Sequence, residues 1–93
     1  MIVGTVIVEL YAPWVHSLKE KRRIVKSLIA KTQNKFHVSI AEIEEQDTHQ
    51  IIVLGAACVT DSEVLAGRMM DQVIDFIQAN TEADITAIQR EMR

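Results

Sequence analysis

The segment that decides the fold is IVGTVIVELYAPWVHSLKE, residues 2–20. Its first part, Ile2 to Tyr11, is rich in β-branched residues and carries apolar side chains on both alternating faces, which is typical of a central strand rather than an edge strand. Pro13 ends the strand because it has no N–H to donate. Ser17 and Glu20 form a capping box, in which the Ser17 hydroxyl accepts from the Glu20 N–H and the Glu20 carboxylate reaches back. A helix therefore begins here.

The rest of the chain continues the alternation of elements. Hydrophobic spacing and turn residues predict the remaining boundaries: this helix to about Asn34, a strand from Phe36 to near Glu44, a polar connection over Glu45–His49, a strand from Gln50 to Thr60, a capping box over Thr60–Glu63, a helix to about Asn80 and a strand from about Ile85 to Met92. Right-handed crossovers and a hairpin between the second and third strands predict an α+β ferredoxin-like βαββαβ sandwich. The expected arrangement is one domain over residues 1–93, with a four-stranded antiparallel sheet and two helices on one face.

Length and composition are those of one small globular domain. The chain has 93 residues, 48% of them hydrophobic, with three glycines and one proline, which excludes a disordered or linker protein. Cys58 is the single cysteine, so no intramolecular disulfide is expected and an oxidising compartment is not implied. The N-terminal segment lacks the features of a signal peptide, and no apolar run is long enough to span a bilayer. We therefore expect a cytoplasmic protein that makes no membrane contact.

Charge is segregated along the chain. The segment from Lys19 to Lys35 holds seven of the ten basic residues and one acidic residue, for a net charge of +6, whereas the remainder carries −9 and the whole chain −3. A basic stripe on an acidic body is compatible with binding to nucleic acid, binding to an acidic protein partner or self-association.

Two blocks of sequence resemble the DUF503 family, also called YlxP-like proteins. The first block contains Leu10, Pro13, Ser17-Leu18-Lys19, Lys21-Arg22-Arg23 and Lys26-Ser27-Leu28, and the second contains Ser39-Ile40-Ala41-Glu42, Gln46-Asp47, Gln50 and Leu54-Gly55. The resemblance implies a small cytosolic bacterial protein with a ferredoxin-like fold and no established biochemical role. It also implies a gene that often neighbours those of translation initiation factor two and ribosome-binding factor A.

The strongest functional pattern is on the first helix. A set of four cations, related by three and four residues, lies opposite the apolar stripe; we call it the basic ridge, and it consists of Lys19, Arg22, Arg23 and Lys26. Such a ridge can contact successive phosphates and supply affinity that does not depend on base sequence. The alternative interpretation is a solvated helix face without a ligand.

Lys21 falls inside the apolar stripe of the same helix. We expect its stem to cover apolar surface while its amine reaches solvent near the loop between the first strand and the helix. There it would help the basic ridge to bind nucleic acid, or form an anion or nucleotide site at the helix N-terminus. Snorkelling without a further role is the alternative.

The loop before this helix contains aromatic and imidazole side chains. Trp14 and His16, with Tyr11 nearby, suggest a loop that stacks on unpaired bases or binds an anion, although a tryptophan here can also simply cover the core. An RNA-recognition motif is excluded, since it places aromatic residues on the third strand and Ile51–Cys58 contains none.

The remaining polar clusters predict no catalysis. Acidic residues near the hairpin fit a solvated edge that discourages strand pairing, with a hard-cation site or a contact to the basic helix of another copy as alternatives: Glu42, Glu44, Glu45 and Asp47. The chain offers no metal-ligand spacing among its histidines, no nucleophile–base pair and no glycine-rich phosphate loop. Cys58 fits a buried structural thiol. We expect neither an enzyme nor a bound metal or cofactor.

The face of the sheet without helices is expected to be apolar. Val3, Ile7 and one row of the third strand should lie there, which suggests homodimerisation through this face. Taken together, the patterns predict a non-enzymatic accessory protein that binds RNA or a ribosomal subunit through its basic first helix. The alternatives are an interaction module that docks an acidic protein partner, and a sensor of small anions or nucleotides.

Overall fold

The fold is the predicted ferredoxin-like βαββαβ sandwich. The computed structural model describes all 93 residues, with β1 (Ile2–Tyr11), α1 (Leu18–Lys35), β2 (Ser39–Glu44), β3 (Ile51–Thr60), α2 (Glu63–Ala79) and β4 (Asp84–Met92). The four strands form one antiparallel sheet in the order β2-β3-β1-β4, so β1 and β3 are central as their two-sided hydrophobicity predicts. Neither helix is both long and apolar enough to cross a membrane.

The core lies between the sheet and the two helices. Alternate residues of β1, from Gly4 to Leu10, are buried on the helix side and pair with buried residues of β3, from Cys58 to Ile52. The helices cover this layer with buried apolar residues from both of them: Val25 and Leu28 of α1, and Met70, Val73 and Ile77 of α2. Cys58 is buried, as predicted.

Two predicted boundaries are wrong, because local hydrogen bonds override the pattern. β2 begins at Ser39 rather than at Phe36, whose N–H donates to the Thr32 carbonyl at 2.9 Å and whose ring packs edge-on against Phe76. The second helix is capped by Ser62, whose Oγ accepts from the Leu65 N–H at 3.2 Å. Thr60, the cap expected from sequence, is still the last residue of β3.

The central glycines have different neighbours. A Cβ atom at Gly4 would lie 3.1 Å from Cys58 Sγ and 3.2 Å from Ala66 Cβ, so this glycine permits the close approach of α2. Gly55 lies on the helix-free face, where a Cβ atom would be 3.0 Å from the side chain of Ile43. Gly55 therefore accommodates the Ile43 side chain of β2 and not a helix.

Replacing Gly4 with Val is expected to lower the free energy of unfolding by about 1–3 kcal/mol, because the added methyls overpack the contact between β1 and α2. The matched control is Gly67→Ala in α2, where the new Cβ would meet only Met92 Cε at 3.6 Å. That change should stabilise the helix by up to about 1 kcal/mol. Urea unfolding of the two variants measures both effects, and a stable Gly4→Val variant would refute the close-packing account.

Candidate nucleic-acid interface

The start of α1 is fixed by its cap. The Ser17 Oγ accepts from the Glu20 N–H at 3.1 Å, as the sequence predicts. The Glu20 carboxylate reaches back one residue further than expected and accepts from the His16 N–H at 3.4 Å. Because the cap sets where α1 begins, it also sets the rotation of the basic ridge about the helix axis.

All four cations of the basic ridge are exposed. The ion pairs of the protein are Lys21–Glu42, Arg90–Asp71 and Arg93–Glu91, and none of them involves the ridge. The charges of Lys19, Arg22, Arg23 and Lys26 are therefore uncompensated by any carboxylate within 4.0 Å. They are available to an external anion.

The basic ridge has two flanks. Arg22 and Lys26 line a groove of about 470 Å³ that also contacts Glu42 on β2. Arg23 lines a separate concavity on the other side of α1, together with Trp14. An extended anion lying along the ridge therefore has guanidinium groups on both sides of the helix within reach.

Lys21 does not belong to this surface. Its side chain is buried, and its Nζ lies 2.5 Å from the Glu45 carbonyl, 2.7 Å from the Thr48 carbonyl and 2.8 Å from Glu42 Oε2. The Glu42 contact is ionic rather than a well-directed hydrogen bond, and this oxygen has no other partner. The expectation that the amine reaches solvent is wrong, because two carbonyls of the β2–β3 connection accept hydrogen bonds from the ammonium and the Glu42 carboxylate of β2 forms an ion pair with it. Lys21 is consequently inaccessible to a phosphate.

The acidic hairpin is organised around this ammonium. Glu45 has a φ of 57° and lies just after β2, in the polar connection that the sequence predicts. Its carbonyl accepts from the Thr48 N–H at 3.0 Å as well as from Lys21, and its carboxylate accepts from the Thr48 hydroxyl at 2.8 Å. Glu44 and Asp47 are exposed. No three His, Cys, Asp or Glu side chains in the protein are placed to hold a metal ion.

Trp14 is held by a clamped loop. Ala12 and Val15 on either side of it are fully buried, and the Gln50 side-chain amide donates to the Pro13 carbonyl at 3.1 Å while the Ala12 N–H donates to the Gln50 carbonyl at 2.8 Å. Trp14 itself remains 39% exposed. Sequence reasoning missed this role of Gln50, since only the fold brings it to the loop.

The structure separates the three rings that the sequence grouped. Trp14 lines a concavity of about 310 Å³ between α1 and the α2–β4 loop, which we call the Trp14 concavity; its lining is Trp14, Arg23, Ile24, Ser27, Leu28, Asn80, Thr81 and Glu82. His16 is exposed but does not line it, and neither does Tyr11, which pairs with Ile51 at the end of β1. A stacking loop made of all three rings is therefore not what the structure shows.

The helix-free face carries Val3, Ile7 and the apolar row of β3, as predicted. Val3 and Ile7 are half-buried, and Val59 is 66% exposed near the end of β3. Between them Gly55 and Ala57 leave a concavity of about 460 Å³. Homodimerisation through this face stays a prediction.

Comparisons with known proteins agree on the family and the fold. A family model described as "Protein of unknown function (DUF503)" matches residues 3–90. The "Uncharacterized protein YlxP" of Bacillus subtilis (strain 168) is 41% identical over 75 residues, which cover 81% of this chain and 82% of that protein. The de novo designed ferredoxin-fold protein LFR1 1 is similar in structure, with a TM-score of 0.63 at 19% identity over 100% of this chain and 86% of that one. The designed protein Ferredog-Diesel has a TM-score of 0.55 at 13% identity, over 96% and 83%. The designed proteins show the fold alone, whereas the family model and the relative show that the chain belongs to the DUF503 family.

Proposed function

We propose that the protein is a non-enzymatic cytoplasmic accessory protein that associates with RNA, free or in a ribosomal subunit, through the basic ridge. The observation that carries the proposal is the set of four exposed cations on one helix face with no carboxylate partner. Phosphate groups are the external anions that such a row fits, because they recur at short intervals along a strand. The translation-linked gene setting implied by the family resemblance points the same way.

The basic ridge is unfavourable for the isolated helix. Four pairs of its cations (19/22, 19/23, 22/26 and 23/26) are three or four residues apart, and like charges at these spacings destabilise a helix by about 0.2–0.5 kcal/mol per pair. Lys19 is also the second residue of α1, next to the positive end of the helix dipole. No ion pair within the protein relieves this repulsion between the ridge cations, whereas an anionic ligand would relieve it.

The geometry of the ridge suits a short stretch of backbone. From Lys19 to Lys26 the helix advances about 10 Å at 1.5 Å per residue. With the reach of the lysine and arginine side chains added, this length spans a few successive phosphates of one strand, which in a duplex are spaced about 3.4 Å apart along the axis. Contacts of this kind fix position without reading bases, which agrees with a third strand that offers no aromatic platform.

Binding to single-stranded RNA is expected to weaken with salt in proportion to the phosphates neutralised. Four phosphate contacts predict a slope of about −2.8 in a plot of log affinity against log salt concentration. Fluorescence anisotropy of a labelled ten-nucleotide RNA, titrated between 50 and 500 mM KCl, measures this slope. An affinity that stays constant over this range would rule out the phosphate mechanism. A complex with an acidic protein that resists nuclease treatment and is lost when the ridge cations are replaced would favour the alternative, an interaction module.

A further inference from the structure

The Trp14 concavity combines an aromatic surface with a charged and a polar rim. Leu28 is buried and Ile24 half-buried at its base, while Arg23, Ser27 and Glu82 are exposed around it. Its volume of about 310 Å³ is at the lower end of small-molecule sites. It therefore has room for one flat ring system and its substituents.

Three polar side chains around the concavity, those of Arg23, Ser27 and Glu82, have no hydrogen bond or ion pair within the protein. Arg23 and Glu82 both line it, yet they do not form an ion pair. Asn80 donates from Nδ2 to the Phe76 carbonyl at 2.9 Å, which leaves its Oδ1 as an acceptor without a hydrogen bond. The rim thus offers one cation for an anion and two acceptors for N–H groups, flanking one indole.

This combination fits a nucleotide better than a bare anion. A phosphate or carboxylate alone would be repelled by Glu82, whereas a purely apolar ligand would leave Arg23 and Glu82 desolvated. A nucleobase presents a ring that stacks on tryptophan and N–H groups that carboxylate and amide oxygens accept, and its phosphate is the partner for arginine. Arg23 also belongs to the basic ridge, so the concavity opens directly onto the proposed path of the backbone.

We propose that the Trp14 concavity binds one unpaired nucleobase of a single-stranded RNA whose backbone lies along the basic ridge. This inference rests on the proposed function and deepens it. Trp14 stacks on the base, Arg23 binds the adjoining phosphate, and Glu82 and Asn80 accept from the amino or imino groups of the base. The clamped loop around Trp14 holds the indole in place before binding, which limits the entropy lost on association.

The test uses the intrinsic fluorescence of Trp14, which is the only tryptophan in the chain. The wild-type protein is titrated with an eight-nucleotide oligoadenylate, with an abasic ribose-phosphate strand of equal length and with AMP. Oligoadenylate is expected to quench the indole and to bind about 5- to 150-fold more tightly than the abasic strand, the range for one stacked base. Because the phosphates are the same, both strands should share one salt slope.

Variants assign the effect to the concavity. Trp14→Ala is expected to reduce oligoadenylate affinity to that of the abasic strand, and Trp14→Phe to keep most of it. The matched control is His16→Ala, which alters the same loop outside the concavity and should leave affinity unchanged.

The outcomes separate the two proposals. Salt-sensitive binding of both strands with equal affinity and no quenching would overturn the base site and leave the ridge standing. No binding of either strand would overturn the ridge and the base site together. Quenching by AMP as tight as that by oligoadenylate would assign the concavity to a free nucleotide and overturn its link to a strand. The quenching measurement uses only the wild-type protein, so it tests the base site even if Trp14→Ala does not fold.

Discussion

Lys21→Met is expected to lower the free energy of unfolding by about 3–5 kcal/mol, the usual effect of removing one partner of a buried ion pair. The substitution keeps the stem that packs in the apolar stripe but removes the ammonium. Glu42 Oε2 then loses its only partner, and the Glu45 and Thr48 carbonyls each lose a donor. For a small domain with a total stability of about 5–15 kcal/mol, this is a large fraction.

The same change at a neighbouring cation is the matched control. Lys19→Met removes an exposed charge from the same helix and is expected to leave stability unchanged or slightly higher. Chemical denaturation compares the two. Hydrogen exchange at the Thr48 amide, which is bonded to the Glu45 carbonyl at 3.0 Å, should accelerate only in Lys21→Met. A Lys21→Met variant within about 0.5 kcal/mol of wild type would show that the three-oxygen site does not hold the hairpin.

Charge reversal of the whole basic ridge is expected to weaken RNA binding by at least about 100-fold at 0.1 M salt. The reason is that four contacts with a combined slope of about −2.8 raise the affinity by nearly three orders of magnitude when the salt concentration falls from 1 M to 0.1 M. The variant carries Lys19→Glu, Arg22→Glu, Arg23→Glu and Lys26→Glu. It should fold, because each position is exposed and Glu in the first turn suits the helix dipole. The salt slope should fall towards zero.

A pair of double variants separates local contacts from overall charge. The ridge pair combines Arg22→Glu with Lys26→Glu, and the distant pair combines Arg68→Glu with Arg93→Glu. Each double variant changes the net charge from −3 to −7. The ridge pair is expected to reduce the slope by about 1.4, whereas the distant pair should leave it unchanged. Equal losses from both pairs would mean that long-range repulsion, rather than contact with the ridge, controls binding.

The fold was predictable because it depends on periodic patterns within single elements. The two-sided apolar character of β1 and β3 places both strands at the centre of the sheet, and the sheet order agrees. The basic ridge was predictable for the same reason, since spacings of three and four residues define a helix face without reference to the rest of the chain.

Contacts between distant parts of the chain were not predictable in this way. The helical pattern places Lys21 in the apolar stripe, but its two carbonyl partners lie 24 and 27 residues later, in a turn whose shape depends on a left-handed Glu45. The Trp14 concavity likewise depends on the α2–β4 connection, whose residues Asn80–Glu82 lie next to Trp14 and α1 only in the folded protein. No sequence spacing encodes either juxtaposition.

The most direct test of the central proposal is co-sedimentation with ribosomal particles from lysate at low and high salt. The wild-type protein is run beside the fully reversed ridge variant, after circular dichroism has shown that the variant is folded. Association through the ridge predicts that wild type sediments with the particles at low salt, dissociates at high salt and loses the association on charge reversal. A folded wild-type protein that stays in the supernatant at low salt, or a reversed variant that sediments as well as wild type, would contradict it.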